Sequence, residues 1–223
     1  MLSYQHAYHA GNLADVHKHA LLAWMLGYLT AKDKPLSYIE THAGRGLYDL
    51  AAPEAVKTGE AAAGIARALA EGWFAPDHPY MVALTAVRAR HGATAYPGSP
   101  VLAAELLRPG DRIHLAELHP AEHAALTQAM REWYSVIHRR DGLELALALT
   151  PPEPRRGLML IDPSYEVKSD YDALPRLIGQ VHAKWNVGVI VLWYPILTSG
   201  AHAPMLAALE AQRLPRTLRH EVR

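Results

Sequence analysis

The sequence predicts an α/β fold built on a mostly parallel sheet, on three observations. From Leu36 onward, short apolar runs alternate with longer segments of helical periodicity. Leu158–Ile161 and Val187–Trp193 are apolar almost throughout, as in strands covered by helices on both faces. Four strands break off on polar groups: Thr41-His42, Glu117, Asp141 and Asp162. Ligands of open α/β sheets gather at the carboxyl ends of the strands, so these four points are expected to rim one site.

Along the chain, Asp15 opens a helix whose apolar side includes Val16, Ala20, Ala23, Leu26 and Leu29. Lys34-Pro35 closes it, because a residue before proline avoids helical backbone. Leu36–Glu40 is the first strand, and it runs into Thr41-His-Ala-Gly-Arg-Gly46. Such a Gly-x-Gly turn brings backbone close to a nucleotide, and the missing third glycine argues against NAD or FAD. Residues 51–95, rich in Ala and Leu, read as helices without a strand, a helical subdomain inserted into a single domain spanning 1–223. Tyr96-Pro-Gly-Ser-Pro100 reads as a turn with Ser99 as helix N-cap and Pro100 as first helical residue. Further strands are expected at Arg112–Leu118, Ser135–His138, Leu158–Ile161, Asn186–Tyr194 and Thr217–Val222.

Composition narrows the function. Half of the 223 residues are hydrophobic, which suits a globular core. No apolar run reaches the ~20 residues of a membrane span, and the start shows no basic-then-apolar leader. The expectation is a cytoplasmic protein with no membrane partner. Without cysteine, disulfides and thiolate zinc sites are excluded. Basic and acidic residues balance at 22 each, so any contact with nucleic acid must use a local patch. His6, His9, His17 and His19 offer no i, i+4 pair on a helix, and no metal is expected.

The chemistry concentrates in Asp162-Pro-Ser-Tyr165. At the end of a buried strand, Asp162 and the Pro163 carbonyl can accept hydrogen bonds from an exocyclic amine. Pro163 stiffens the loop and has no N–H to compete, and Tyr165 can stack on the ring that carries the amine. The plainer reading is a strand-to-loop turn with a helix-capping Asp. Glu117 and Asp141, at the other strand ends, suit ribose hydroxyls or an adenine amino group.

With these residues in view, the chain resembles the bacterial 23S rRNA adenine-N6 methyltransferase family typified by RlmJ, over essentially its whole length. The likeness is carried by Leu2–His19, Asp33-Lys-Pro, Thr41-His-Ala-Gly-Arg-Gly, Tyr96-Pro-Gly-Ser-Pro, Glu117-Leu-His-Pro, Arg156-Gly-Leu, Ile161-Asp-Pro-Ser-Tyr-Glu and Leu192-Trp-Tyr-Pro. It implies a Rossmann-like class I methyltransferase fold, S-adenosylmethionine as cofactor, and 23S rRNA, protein-free or early in assembly, as the partner of a monomer. Carried over by position, Lys18, His19, His42, Ser99, Glu117, Asp141 and Gly142 make the cofactor site. Asp162 is implied as the catalytic residue, with Tyr4, His6, Pro163 and Tyr165 on the substrate side. The chain departs from the family at Ser164, where a second proline is usual, and slower chemistry is expected. Only Thr217–Val222 is visible as a closing strand, so the last strand of the sheet is expected to be missing. DNA as substrate, or a catalytically weak RNA-binding relative, are the alternatives.

Overall fold

The structure is a computed structural model that describes residues 5–222. Seven strands occur among them: β1 (Ser37–Glu40), β2 (Leu47–Asp49), β3 (Ala95–Pro97), β4 (Arg112–Ala116), β5 (Val136–His138), β6 (Gly157–Ile161) and β7 (Val189–Leu192). Five pair in parallel in the order β5-β4-β1-β6-β7. Counted along the chain this is 3-2-1-4-5, so winding reverses at the central first strand, where doubly wound folds bind their ligands.

The central strands are buried along their whole length. Their alternation feeds two apolar clusters. Tyr38, Leu158 and Leu160 face a cluster with α1 (Leu13–Thr30), α4 (Pro79–His91) and α5 (Ser99–Leu106). Ile39, Met159 and Ile161 face the other, with α8 (Asp170–Lys184) and α9 (Ala203–Ala211). Each fully buried Leu or Ile contributes roughly 1.5–3 kcal/mol from lost water contact. Gly157 is required where β6 meets β1, because a Cβ there would lie 2.0 Å from the Ser37 carbonyl oxygen.

Residues 51–91 are helical and contain no strand: α2 (Pro53–Thr58), a wide turn at Ala62–Ala66, α3 (Arg67–Ala70) and α4. They share the apolar cluster of α1 and the sheet. At Gly64 the chain touches the N-terminal segment directly. Its Cβ would meet the Gly11 carbonyl oxygen at 2.0 Å, and Ile65 N–H donates to that oxygen at 2.8 Å. Chain order continues with α6 (Pro120–Ala129) and α7 (Gly142–Leu149).

Three sequence expectations are corrected. Tyr96-Pro97 is no free turn: β3 pairs antiparallel with β2, Tyr48 opposite Tyr96, as a separate ribbon. Ser99 is not the N-cap of α5; Gly98 is, and Ser99 is the first helical residue. Its hydroxyl turns inward to donate to buried Glu40. Residues 217–222 form no strand, since none of the sheet's strands pairs with them. They are held by side chains instead: a His220–His17 contact at 3.1 Å, and a 2.7 Å bond from the Tyr194 hydroxyl to Glu221. No described helix is long and apolar enough to cross a membrane.

Candidate active site

Backbone bonds above the carboxyl edge of the sheet fix the loops that carry the polar groups. Thr41 N–H donates to the Leu160 carbonyl, Ala43 to Ala116, Glu117 to His138 and Trp193 to Ile161, all within 2.9–3.1 Å. Together with the start of α1 they surround a cavity of about 470 Å³, within the usual size of small-molecule sites.

Its residues fall into two groups. On the β1–β4–β5 side, acids are held by main chain. Glu117 accepts from Gly44 N–H at 2.9 Å and from His119 N–H at 2.7 Å. Burial raises its pKa above the usual carboxylate value, and those two bonds oppose the rise. Asp141 caps α7, its Oδ1 accepting from Leu143 and Glu144 N–H at 2.9 Å each. A carboxylate keeps lone pairs beyond these, so both can still take hydroxyls or an amine. Gly44 sits at φ +61°, the left-handed turn that lets its N–H reach Glu117. Gly142 presses on β1 so closely that a Cβ would lie 1.8 Å from the Thr41 carbonyl oxygen. His42 bonds Thr41 Oγ1 through Nδ1 at 2.8 Å, and burial lowers its basicity.

On the β6–α1 side, the groups are held by charge. Lys18 Nζ lies 2.6 Å from Asp162 Oδ2 and 3.2 Å from Asp15 Oδ1. Burial alone would lower the Lys18 pKa, but these carboxylates hold it well above its ordinary value. Asp15, 1 % exposed, also takes His6 Nε2 at 2.8 Å and Gly11 N–H at 2.9 Å. Burial would raise its pKa, and His6, Lys18 and His19 pull it well below the usual range. His19 bonds the Tyr96 hydroxyl at 3.0 Å; burial drives its pKa down to about 3, so the ring is neutral. Tyr165 lines the cavity with its hydroxyl donating to the Trp193 carbonyl and its ring 4.9 Å from Tyr171.

Of the residues singled out from sequence, His6, Lys18, His19, His42, Ser99 and Glu117 line this cavity. So do Asp141, Gly142, Asp162, Pro163 and Tyr165. The Lys18 ammonium is turned to Asp162 and Asp15. Tyr4 lies outside the described residues. Sequence reasoning missed Asp15, Trp193 and Glu40. Trp193 lines the cavity, 5.9 Å from Lys18 Nζ. Glu40 is fully buried below Ser99 and accepts from the Tyr38 hydroxyl at 2.8 Å. Burial pushes its pKa up to about 8. An acid ending an otherwise apolar strand was the one signal for it.

A parallel 3-2-1-4-5 sheet with acids at its carboxyl edge and Asp162-Pro163 beside them has the architecture of a class I, Rossmann-like methyltransferase. The comparisons with known proteins narrow this. The profile of the family described as "Ribosomal RNA large subunit methyltransferase D, RlmJ" matches residues 33–223. The curated ribosomal RNA large subunit methyltransferase J of Escherichia coli is 38% identical over 228 residues, covering 100% of this chain and 80% of that protein. The Haemophilus influenzae protein of the same name is 38% identical over 229 residues, with the same coverage. A crystal structure of protein LPL1258 from Legionella pneumophila superposes with a TM-score of 0.81 at 37% identity, over 91% of this chain and 76% of that one. The chain belongs to the RlmJ family of ribosomal RNA large subunit methyltransferases.

Proposed function

We propose that this cavity moves a methyl group from S-adenosylmethionine to the N6 amino group of an adenine in 23S rRNA, and that each half of it serves one reactant. The family's enzymes are rRNA methyltransferases that use this donor, and this chain is an enzyme of that kind. The observation that carries the reading is one cavity joining Asp162-Pro163 to the main-chain-held acids Glu117 and Asp141. The donor set fits the cofactor. Glu117 suits its ribose hydroxyls, Asp141 and Gly142 its adenine end, and His19, His42 and Ser99 the remainder. When bound, the cofactor supplies an electrophilic methyl group on a sulfonium.

The chain's own residues then have three tasks. The amine of adenine is a poor nucleophile, since its lone pair is delocalised into the ring. Asp162 and the Pro163 carbonyl accept its two N–H bonds, which favours a pyramidal nitrogen and exposes the lone pair. Lys18 keeps the Asp162 carboxylate aimed through its 2.6 Å contact, acting as a positioning residue. Tyr165 and Pro163 hold the ring; His6 is assigned to the substrate, as Tyr4 is by the family resemblance. As nitrogen takes the methyl group it loses a proton toward Asp162 and solvent. Most of the acceleration comes from alignment and preorganised charge. The adenine must leave its stack to enter, which loops and helix ends of RNA allow. A monomer in the cytoplasm, acting on protein-free or early-assembly rRNA, completes the reading.

The test is methyl transfer from labelled S-adenosylmethionine to protein-free 23S rRNA from cells lacking the modification, comparing wild type with Asp162→Ala. Label is expected as N6-methyladenosine, reduced at least ~100-fold in the variant, with cofactor binding retained. Cofactor binding without label in the wild type would instead make the chain a non-catalytic relative.

A further inference from the structure

Away from the cavity, one part of the sheet is covered by neither apolar cluster. In β4, Ile113 and Leu115 face the cluster of α1 and α5. Arg112 and His114 therefore project from the opposite face. There α7, α8 and α9 cover β1, β6 and β7, while Arg112 and Val136 are exposed and His114 and His138 half-buried. The polar groups on this face form a continuous line. Tyr134, 77 % exposed, lies against the Arg112 guanidinium at 5.8 Å from its ring centre. Arg112 acts electrostatically on His114. His114 Nδ1 meets His138 Nε2 at 3.2 Å, with the rings stacked 5.5 Å apart. His138 in turn feels Arg140. Arg140 precedes Asp141, which lines the cavity. The acid in contact with this line is Glu144, 3.3 Å from Arg140.

From this geometry we infer that the exposed β4–β5 face is a docking strip for an unpaired segment of the substrate RNA, running from Tyr134 up to the mouth of the cavity. The inference rests on the functional reading above. Charge complementarity selects the partner. A chain of zero net charge sets Arg112 on the exposed β4–β5 face and Arg140 just past the end of β5, next to its site. Guanidinium groups match phosphates through planar forked donors. Tyr134 adds what a phosphate contact lacks, an open ring with one side backed by a cation, on which a splayed base stacks. A duplex has no free base to offer it, so the segment recognised is single-stranded. Cationic side chains also guard sheet edges against association; that alternative predicts no effect on RNA.

The experiment measures binding of protein-free 23S rRNA across 50–300 mM NaCl for wild type, Arg112→Gln and Tyr134→Ala, with methyl transfer and cofactor binding followed in parallel. Both side chains are exposed, and melting temperatures check the fold. Arg112→Gln is expected to weaken binding several-fold and to lower the slope of log affinity against log salt by about 0.7, the value for one phosphate of a single strand. Tyr134→Ala should weaken binding about tenfold at unchanged slope. Unpaired RNA should compete better than duplex RNA, and cofactor affinity should not move. Unchanged affinity and slope in both variants overturns the strip, and so does a change confined to self-association. If the wild type binds RNA yet transfers no methyl group, the functional reading fails while the salt slopes still decide the strip.

Discussion

The two halves of the cavity hold their acids in different ways. Glu117 and Asp141 are gripped by backbone N–H groups of the turns that follow β1, β4 and β5. Asp162 and Asp15 share the Lys18 ammonium, and Asp15 also takes His6 and one main-chain donor, the Gly11 N–H. Main-chain donors are supplied by the fold and survive any side-chain change nearby. A charge network depends on every member, because removing one leaves the others buried and uncompensated. The half assigned to the invariant cofactor is thus built into the backbone, and the half assigned to the reacting base is built from side chains.

Lys18→Met should expose the contrast most strongly. It leaves Asp15 to His6 and the Gly11 N–H and removes the aim of Asp162, with a stability loss of roughly 3–5 kcal/mol by denaturant titration and a large fall in kcat. Lys18→Arg should restore part of kcat. The sign with pH is fixed: the folded-state pKa of Asp15 lies below its unfolded value. Its contribution is therefore present above about pH 4 and lost as pH falls through the folded value. Losing Lys18 raises that value and moves acid unfolding to higher pH.

Glu117→Gln tests the other half. It should weaken cofactor binding about tenfold by calorimetry, about 1.4 kcal/mol, with kcat at saturating cofactor changed less than about twofold. A collapse of kcat instead would erase the division of labour. Glu40→Gln sharpens it, because Glu40 belongs to neither half and supports Ser99 from below. With its pKa raised to about 8, the folded state binds more protons than the unfolded state between about pH 4.5 and 8. Wild-type stability from this group therefore falls as pH rises through that window, by up to about 1.4 kcal/mol per unit. The amide does not titrate, so Glu40→Gln should gain on the wild type from pH 5 to 8 in thermal melts; a constant offset would refute the assignment. Ser164→Pro, the smallest effect, should raise kcat a few-fold by stiffening the loop before Tyr165, at φ +57°.

The residues legible in sequence were those whose signal is local. A buried run that stops on an acid marks a strand end wherever it occurs, and Glu117, Asp141 and Asp162 all line the cavity. What stayed hidden depends on distant partners. The β2–β3 ribbon joins Asp49 to Ala95 through strands of three residues, and a Tyr-Pro-Gly run looks like a turn until its partner is known. Ser99 has the chemistry of a cap, but Glu40, 59 residues away, claims its hydroxyl. Thr217–Val222 has the composition of a strand, yet a strand exists only where another lies beside it. Asp15 reads as an ordinary first-turn acid of α1 with Lys18 one turn on, and nothing local announces His6, or Asp162 as the second partner of that lysine.

The contact between Lys18 and Asp162 spans 144 residues, and this sets a schedule for synthesis. At translation rates of 5–20 residues per second, Asp162 follows Lys18 by roughly 7–30 s. Until Glu60 and Ile65 have been made, Asn12 and Gly11 lack the partners that seat the segment before α1. Helix α1 therefore waits with its apolar side uncovered and its lysine paired only with Asp15. Its place is set by segments made later, and the Lys18–Asp162 contact forms only after β6 has emerged.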